Sequence, residues 1–211
     1  MTVTHICFVG ASTTEGVGDE CHLGWPGRLV GMPPAANALK SVYNLGVHGQ
    51  TTAEIGARWR SECVARLPVN GAGAVVFFFG LNDIAQVNGG PLRRPLHRTL
   101  AQVEEIVGEA KSLWTTLWVG PPPVAEDRMP VRSENGHAFS FTNERIESLN
   151  KAYGEIASRL QVPYLDLLDD FAGRAEWLAS LRANDGLHPA GTGYQMLAEK
   201  VADWKVWQDL F

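Results

Sequence analysis

Near its C-terminal end the chain reads Asp185-Gly186-Leu187-His188-Pro189, which sets a carboxylate and an imidazole three residues apart. At that spacing the carboxylate can hold one ring nitrogen of His188 while the other faces a reacting group, the base half of a nucleophilic site. A candidate nucleophile stands at the opposite end of the chain. Ser12 lies in Gly10-Ala11-Ser12-Thr13-Thr14-Glu15-Gly16, directly after an apolar run, where small residues allow a sharp turn that exposes its hydroxyl. A serine that attacks an ester also needs donors aimed at the oxyanion developing on the carbonyl. The backbone N–H groups of Ser12 and Gly46, with the side-chain amide of Asn82 in Gly80-Leu81-Asn82-Asp83, would supply them.

Taken singly, each of these residues has a plainer explanation. Serine caps helices, glycine fills turns after strands, and asparagine forms Asx turns. Their positions argue for more, because Ser12, Gly46 and Asn82 each fall just beyond a separate strand candidate. In a parallel sheet three such ends converge on one edge, where open α/β sheets bind their ligands. His48, close to Gly46, reads as a surface residue with a pocket-lining role as the alternative.

The elements that would position these groups alternate between short β-rich runs and longer helix-periodic ones, the pattern of an α/β domain with a largely parallel sheet. Strands are expected at His5 to Val9, Ser41 to Leu45, Ala74 to Phe79, Thr115 to Val119 and Pro163 to Leu165. Val75-Val76-Phe77-Phe78-Phe79 is apolar without alternation, as a central strand covered on both faces should be. Leu100, Val103, Ile106, Val107, Ala110 and Leu113 recur at helical spacing, as do Ile146, Leu149, Tyr153, Ile156 and Leu160. A further helix is expected over Thr52 to Arg66 with Thr52 as its N-cap, and a last one over Gly193 to Leu210, whose stripe Trp207 and Phe211 extend as core packing. Gly120 to Phe141 carries no periodicity and should leave the carboxyl edge of the sheet as a wall on the substrate side. Trp25 and Trp59 read as buried structural residues.

Composition narrows the partners. The chain has 211 residues, enough for one domain over residues 1–211, and neither a composition shift nor a linker divides it. A formal net charge of −5 with scattered lysines and arginines disfavours nucleic acid and anionic lipid as ligands. Arg93-Arg94 is the one basic doublet and reads as a solvated loop. Cys7, Cys21 and Cys63 form neither a disulfide framework nor a zinc-ligand pattern, which predicts reduced thiols. With no signal-peptide pattern and no apolar stretch of the roughly 18 to 20 residues that span a bilayer, a cytoplasmic location is expected. No cofactor and no metal are expected, and a homodimer is left open.

Rival chemistries fit less well. Two positions after Ser12 stands Thr14, so the Gly-x-Ser-x-Gly elbow of α/β-hydrolases is absent. Gly71-Ala72-Gly73 precedes its strand instead of following it, which spoils a phosphate cradle. Asp185 and His188 lack third and fourth metal ligands at usable spacing.

Together the serine block, the glycine block after the second strand, the Gly-x-Asn-Asp block after the third and the Asp-x-x-His block near the C-terminus resemble the GDSL, or SGNH, hydrolases. The resemblance runs over nearly the whole chain. It implies a three-layer α/β/α sandwich with a five-stranded parallel sheet of flavodoxin-like topology, and a metal-independent ester hydrolase. It also implies Ser12 as nucleophile, His188 as base, Asp185 as the group that orients it, and an oxyanion site at Ser12, Gly46 and Asn82. The expected substrate is a small soluble ester carrying a short acyl or O-acetyl group. One departure stands out: the family's Gly-Asp-Ser is Gly10-Ala11-Ser12 here, so the carboxylate beside the nucleophile is missing. That departure motivates the alternative, a small-molecule or carbohydrate-binding domain of weak or no activity on the same fold.

Overall fold

The computed structural model describes residues 2–68 and 71–211. The strands, in chain order, are β1 (His5–Gly10), β2 (Ser41–Gly46), β3 (Gly73–Phe78), β4 (Gln86–Val87), β5 (Thr115–Val119), β6 (Val131–Arg132), β7 (Ala138–Ser140) and β8 (Tyr164–Leu165). The helices are α1 (Ser12–Glu15), α2 (Gly24–Val30), α3 (Ala35–Ala38), α4 (Thr52–Val64), α5 (Leu96–Leu113), α6 (Asn143–Leu160), α7 (Leu168–Phe171), α8 (Ala175–Arg182), α9 (Gly191–Ala202) and α10 (Lys205–Gln208). Five strands form a parallel sheet in the order β2-β1-β3-β5-β8, with β3 at its centre.

Alternation along β3 explains the two layers of helices. Val75 and Phe77 point into one core with Ile55, Trp59, Val103, Ile106, Ile146 and Tyr153, from α4, α5 and α6. Ala74, Val76 and Phe78 point into the other, with Trp25, Leu29, Trp177, Tyr194, Leu197 and Trp207, from α2, α8, α9 and α10. A strand buried on both faces can be apolar throughout, which is why this segment shows no period of two in its sequence. Trp25 and Trp59 are both fully buried, Trp25 edge-on to Phe8 and Trp59 edge-on to Phe77. Trp207 is buried between Phe8 and Phe211 as core packing. No helix of the described residues is long and apolar enough to cross a membrane.

Three boundaries differ from expectation. Helix α4 starts from Thr51, whose N–H and hydroxyl both donate to Glu54 Oε2 at 2.7 Å, so Thr51 and not Thr52 is the cap. Thr52 instead gives its N–H (2.8 Å) and hydroxyl (3.1 Å) to Asp83 Oδ2. The last helix is broken between α9 and α10, where Asp203 ends one and extended Trp204 opens the other. Gly120 to Phe141 contains a short 3₁₀ turn (Glu126–Arg128) and the β6–β7 hairpin, which pairs with β4 as a small antiparallel sheet. Its local pairing is too short to leave a readable period.

The segment between α1 and α2 is closed by the buried carboxylate of Asp19. Its Oδ1 accepts the Cys21 N–H (3.1 Å), and its Oδ2 accepts those of Leu23 (3.0 Å) and Gly24 (2.7 Å). Arg28 on α2 completes a two-pronged ion pair, Nη2 lying 2.9 Å from Oδ1 and Nη1 bonding Oδ2. Burial alone would raise the Asp19 carboxyl, but the Arg28 bond and the N–H groups of Cys21 and Gly24 outweigh it and hold the carboxyl below the ordinary range. A depressed folded value contributes stability that is present above the unfolded value and is lost as pH falls through the folded one. Asp19→Asn should therefore cost about 3–5 kcal/mol at neutral pH by leaving Arg28 unpaired. Its deficit against wild type should shrink with acidification, as read by urea unfolding over a pH series.

Candidate active site

Ser12 is delivered by the end of β1, whose Gly10 is in register with Gly46 of β2 and Phe78 of β3. The chain then turns at once into α1. Glu15 N–H donates to Ala11 O (2.9 Å), and the N–H groups of Gly16 and Val17 donate to Ser12 O (2.9 and 3.0 Å). Side chains from two neighbouring elements hold the same turn: Asn44 Nδ2 donates to Thr14 O (2.7 Å), and Arg58 Nη2 donates to Gly10 O (3.1 Å). Ala11 contributes no polar side chain, and the turn is fixed through its backbone carbonyls instead.

His188 sits between α8 and α9, and its partners are set by one carboxylate. Asp185 Oδ1 accepts the N–H groups of Leu187 (2.9 Å) and His188 (2.7 Å), while Oδ2 lies 2.7 Å from His188 Nδ1. A carboxylate only accepts, so Nδ1 carries the proton and Nε2 presents a lone pair. That lone pair lies 2.7 Å from Ser12 Oγ. Both Ser12 and His188 are nearly buried, at 5% and 3% exposure, so the contact is shielded from bulk water. Burial would raise the Asp185 carboxyl, but the His188 hydrogen bond and the two backbone N–H groups hold it below its ordinary range, ionised at neutral pH.

The serine and histidine segments are also tied to each other and to the following loop. Gly191 N–H donates to Glu20 Oε2 (2.9 Å), and Tyr194 hydroxyl donates to Val17 O (2.6 Å). Ala125 N–H donates to Gly186 O (2.9 Å), and Arg182 pairs with Asp127 at 3.0 Å.

The structure corrects the expectation for Gly46. Its N–H donates to Asn44 Oδ1 (3.0 Å), and it does not line the cavity beside Ser12. Its glycine identity answers a packing need, since a Cβ there would sit 2.1 Å from Glu15 N and 2.6 Å from Glu15 Cα. Gly49 faces the cavity instead, with φ +73°, a conformation that side chains disfavour. Among the described residues neither the Ser12 nor the Gly49 N–H has an intramolecular acceptor. Asn82 does line the cavity; one of its amide hydrogens goes to Gln50 O (2.9 Å), which leaves the other free to face outward. Its neighbour Asp83 turns inward, where burial pushes its carboxyl up against the pull of Thr52, Thr99 and Arg94.

The cavity has a volume of about 560 Å³ and runs from Ser12 and His188 to a wall built by the β6–β7 hairpin, with Arg132, His137 and Phe139 among its lining. The expected wall from the 120–141 segment is thus present, supplied by its second half. His48 also lines the cavity, its ring centroid 5.7 Å from that of His188. Sequence reasoning missed Gly49 and Arg93, both on the cavity surface. The signal available for Gly49 was a second glycine two residues before Thr51, the N-cap of α4. Among the described residues the group of three close potential metal ligands is Asp19, Glu20 and Cys21, and both Asp19 oxygens are already taken by Arg28 and backbone N–H groups.

Comparison with known proteins gives a consistent result. A model of the GDSL-like lipase/acylhydrolase family matches residues 8–196. The uncharacterised protein YpmR of Bacillus subtilis is 20% identical over 223 residues, covering 93% of this chain and 79% of that protein. Among solved structures, a lipase/acylhydrolase from Enterococcus faecalis aligns with a TM-score of 0.70 at 25% identity, covering 95% of this chain and 94% of that one. A catalytic mutant of Axe2, an acetylxylan esterase from Geobacillus stearothermophilus, aligns with a TM-score of 0.70 at 18% identity, covering 98% and 97%.

The two glycines should respond differently to a methyl group. Gly46→Ala drives a Cβ into the backbone of α1 and should lower stability by about 1–3 kcal/mol or more. Gly49→Ala meets open space and carries only the backbone strain of its positive φ, about 1–2 kcal/mol. Denaturant midpoints of the two variants give the comparison, and a Gly46→Ala midpoint equal to wild type would contradict the packing assignment.

Proposed function

Because this chain belongs to the GDSL-like lipase/acylhydrolase family, and so to the acyl hydrolases of esterase and lipase type, we propose that it cleaves carboxylic esters of small soluble compounds through Ser12, His188 and Asp185. The observation that carries this reading is the continuous chain from Asp185 Oδ2 through His188 to Ser12 Oγ, with 2.7 Å at both contacts, opening on the cavity.

In this mechanism Ser12 Oγ attacks the ester carbonyl carbon while His188 Nε2 takes its proton. Ionised Asp185 keeps Nδ1–H in place and stabilises the imidazolium. The N–H groups of Ser12 and Gly49 and the outward amide hydrogen of Asn82 receive the oxyanion. Collapse of the tetrahedral intermediate expels the alcohol, which leaves with the proton held on His188, and forms an acyl-enzyme. Water then attacks the acyl carbon, giving a proton to His188 that returns to Ser12 Oγ as the acid departs.

A short acyl group on a polar alcohol suits the cavity best, because Arg93, Arg132, His48 and His137 share its lining with Phe139 and Phe141. A long acyl chain would have to lie against those charged and polar groups, at a desolvation cost. The free cysteines Cys7, Cys21 and Cys63 support a reducing, cytoplasmic setting.

Labelling with a fluorophosphonate probe, with the adduct located by mass spectrometry, tests the reading. Modification at Ser12 and none in Ser12→Ala is expected; a folded protein that takes no label and leaves a short-chain nitrophenyl ester intact would favour a binding domain. Asn82→Ala should lower kcat by about 10²- to 10³-fold, and a near-wild-type kcat would remove Asn82 from the oxyanion site. Asp185→Asn should cost on the order of 10⁴ in kcat through loss of the correct tautomer. Since the Asp185 carboxyl is held low, its orienting bond should persist as pH falls through the ordinary carboxylate range. An Asp185→Asn variant with unchanged kcat in steady-state assays would contradict the assigned role.

A further inference from the structure

The basic doublet Arg93-Arg94, expected from sequence to be a solvated loop, is bound into the back of the proposed oxyanion site. Arg94 turns inward, with Nε 3.1 Å from Asp83 Oδ1 and Nη2 donating to Gln102 Oε1 (2.9 Å). Arg93 turns the other way, onto the cavity surface. Its Nη1 donates to the carbonyl oxygen of Gly49 (2.9 Å), its Nη2 lies 4.0 Å from Glu54 Oε2, and its guanidinium carbon stands 5.6 Å from the centre of the Phe139 ring. Phe139 belongs to the hairpin wall, Gly49 to the loop after β2, and Glu54 to the first turn of α4. One planar cation thus spans three separately folded pieces of the site, a geometry suited to the fork of arginine and not to a lysine ammonium.

The loop from Val47 to Gln50 is held at its start by the Val47 N–H on Gly10 O (3.2 Å) and closed by the Gln50 N–H on Val47 O (3.4 Å), contacts that leave the Gly49 carbonyl to Arg93. Gly49 makes no contact where its Cβ would be, and its positive φ is a conformation the chain must be held in. Gln50 is pinned at its carbonyl by Asn82 and at its side chain by Arg58 Nε (2.6 Å), and Arg93 is the side chain that reaches the Gly49 carbonyl. The anchored carbonyl fixes the plane of the Gly49–Gln50 peptide. The Gly49 N–H belongs to the preceding His48–Gly49 peptide, joined to that fixed plane through the φ and ψ of Gly49, so the anchor restrains the turn that presents it from one side.

We propose that Arg93 is a positioning residue for the oxyanion site: by holding the Gly49 carbonyl while resting against Phe139, it fixes the Gly49–Gln50 peptide, keeps the positive-φ turn at Gly49 that presents its N–H to the reacting carbonyl, and sets the distance between the oxyanion loop and the hairpin wall. This rests on the hydrolase reading above. Arg93 acts through Gly49 and takes no part in proton transfer. Its loss should leave the Ser12–His188–Asp185 chain intact and weaken only the stabilisation of the oxyanion, so the effect falls on kcat.

The test uses the full chain with a short-chain nitrophenyl ester and a fluorophosphonate, whose phosphoryl oxygen occupies the oxyanion position on reaction at Ser12. Arg93→Ala should lower kcat and the rate of Ser12 labelling together by about 10- to 100-fold, as expected when a donor is misaimed rather than removed. KM should change little, the unfolding midpoint should stay near wild type, and added guanidinium ion should restore part of kcat. Arg93→Lys, which can reach the Gly49 carbonyl without bridging to Phe139 and Glu54, should fall between wild type and alanine and keeps the test open if Arg93→Ala fails to fold. Wild-type kcat and labelling rate in a folded Arg93 variant would overturn the assignment, as would a raised KM at unchanged kcat, which would make Arg93 a substrate-binding group. A wild-type protein that takes no label at Ser12 would overturn the hydrolase reading itself, an outcome distinct from a labelled wild type with indifferent Arg93 variants.

Discussion

The 2.7 Å contact between Ser12 Oγ and His188 Nε2 joins residues 176 positions apart, and a single hydrogen bond of about 1 kcal/mol net cannot hold two chain ends together. The surrounding structure must bring them there first. Gly191 bonded to Glu20, Tyr194 bonded to Val17, and α9 packed along α2 supply that framework, with buried Tyr194, Leu197 and Trp25 in the same core. The buried Asp19–Arg28 pair then stiffens the segment that carries Glu20. Alignment of Ser12 with His188 is a by-product of packing between α2 and α9, which share a buried core.

The loops on the other side of Ser12 obey a different logic. They bury few apolar groups and are held by charged side chains placed behind them: Arg58 on Gly10 and Gln50, Arg94 against Asp83, Arg93 on Gly49. Such contacts are directional, which suits segments whose N–H groups must point in a set direction. Asp83 shows the cost of the arrangement: burial pushes its carboxyl up, and bonds from Thr52 and Thr99 and the charge of Arg94 pull against that rise. The same residue ties the turn bearing Asn82 to the first turn of α4, so two strand-end loops share one anchor.

Much of this was legible in the sequence because it follows from spacing or period. The Asp185-x-x-His188 interval maps onto a single turn in which one carboxylate serves two N–H groups and a ring nitrogen, and the unbroken apolar run of β3 announces a strand covered on both sides. Gly46 was misread because two needs for glycine lie three residues apart. One is close approach to Glu15 and the other is a positive φ at Gly49, and composition cannot tell them apart. Arg93-Arg94 was misread for a related reason: the partners of a long cation lie far away in sequence, here at Gly49 and Asp83, and leave no local pattern. Thr51 and Thr52 were transposed because both hydroxyls have partners, one local and one across the fold.

The hairpin wall is attached unlike any other part of the site. Among the described residues, strands β6 and β7 pair with each other and with the two-residue β4, and share no hydrogen-bonded ladder with the five-stranded sheet. Arg145, bonded to Ile84 O and Ser140 O, Arg93, resting on Phe139, and Asn88, which accepts the Ala138 N–H, are among the side chains that join it to the body of the domain. Its tip, Ser133 to His137, therefore lies outside the ladders that set the sheet register. The wall of the cavity and the Ser12–His188 contact are thus built by stretches of chain with separate attachments, so the shape of the cavity can change at residues on which neither core depends.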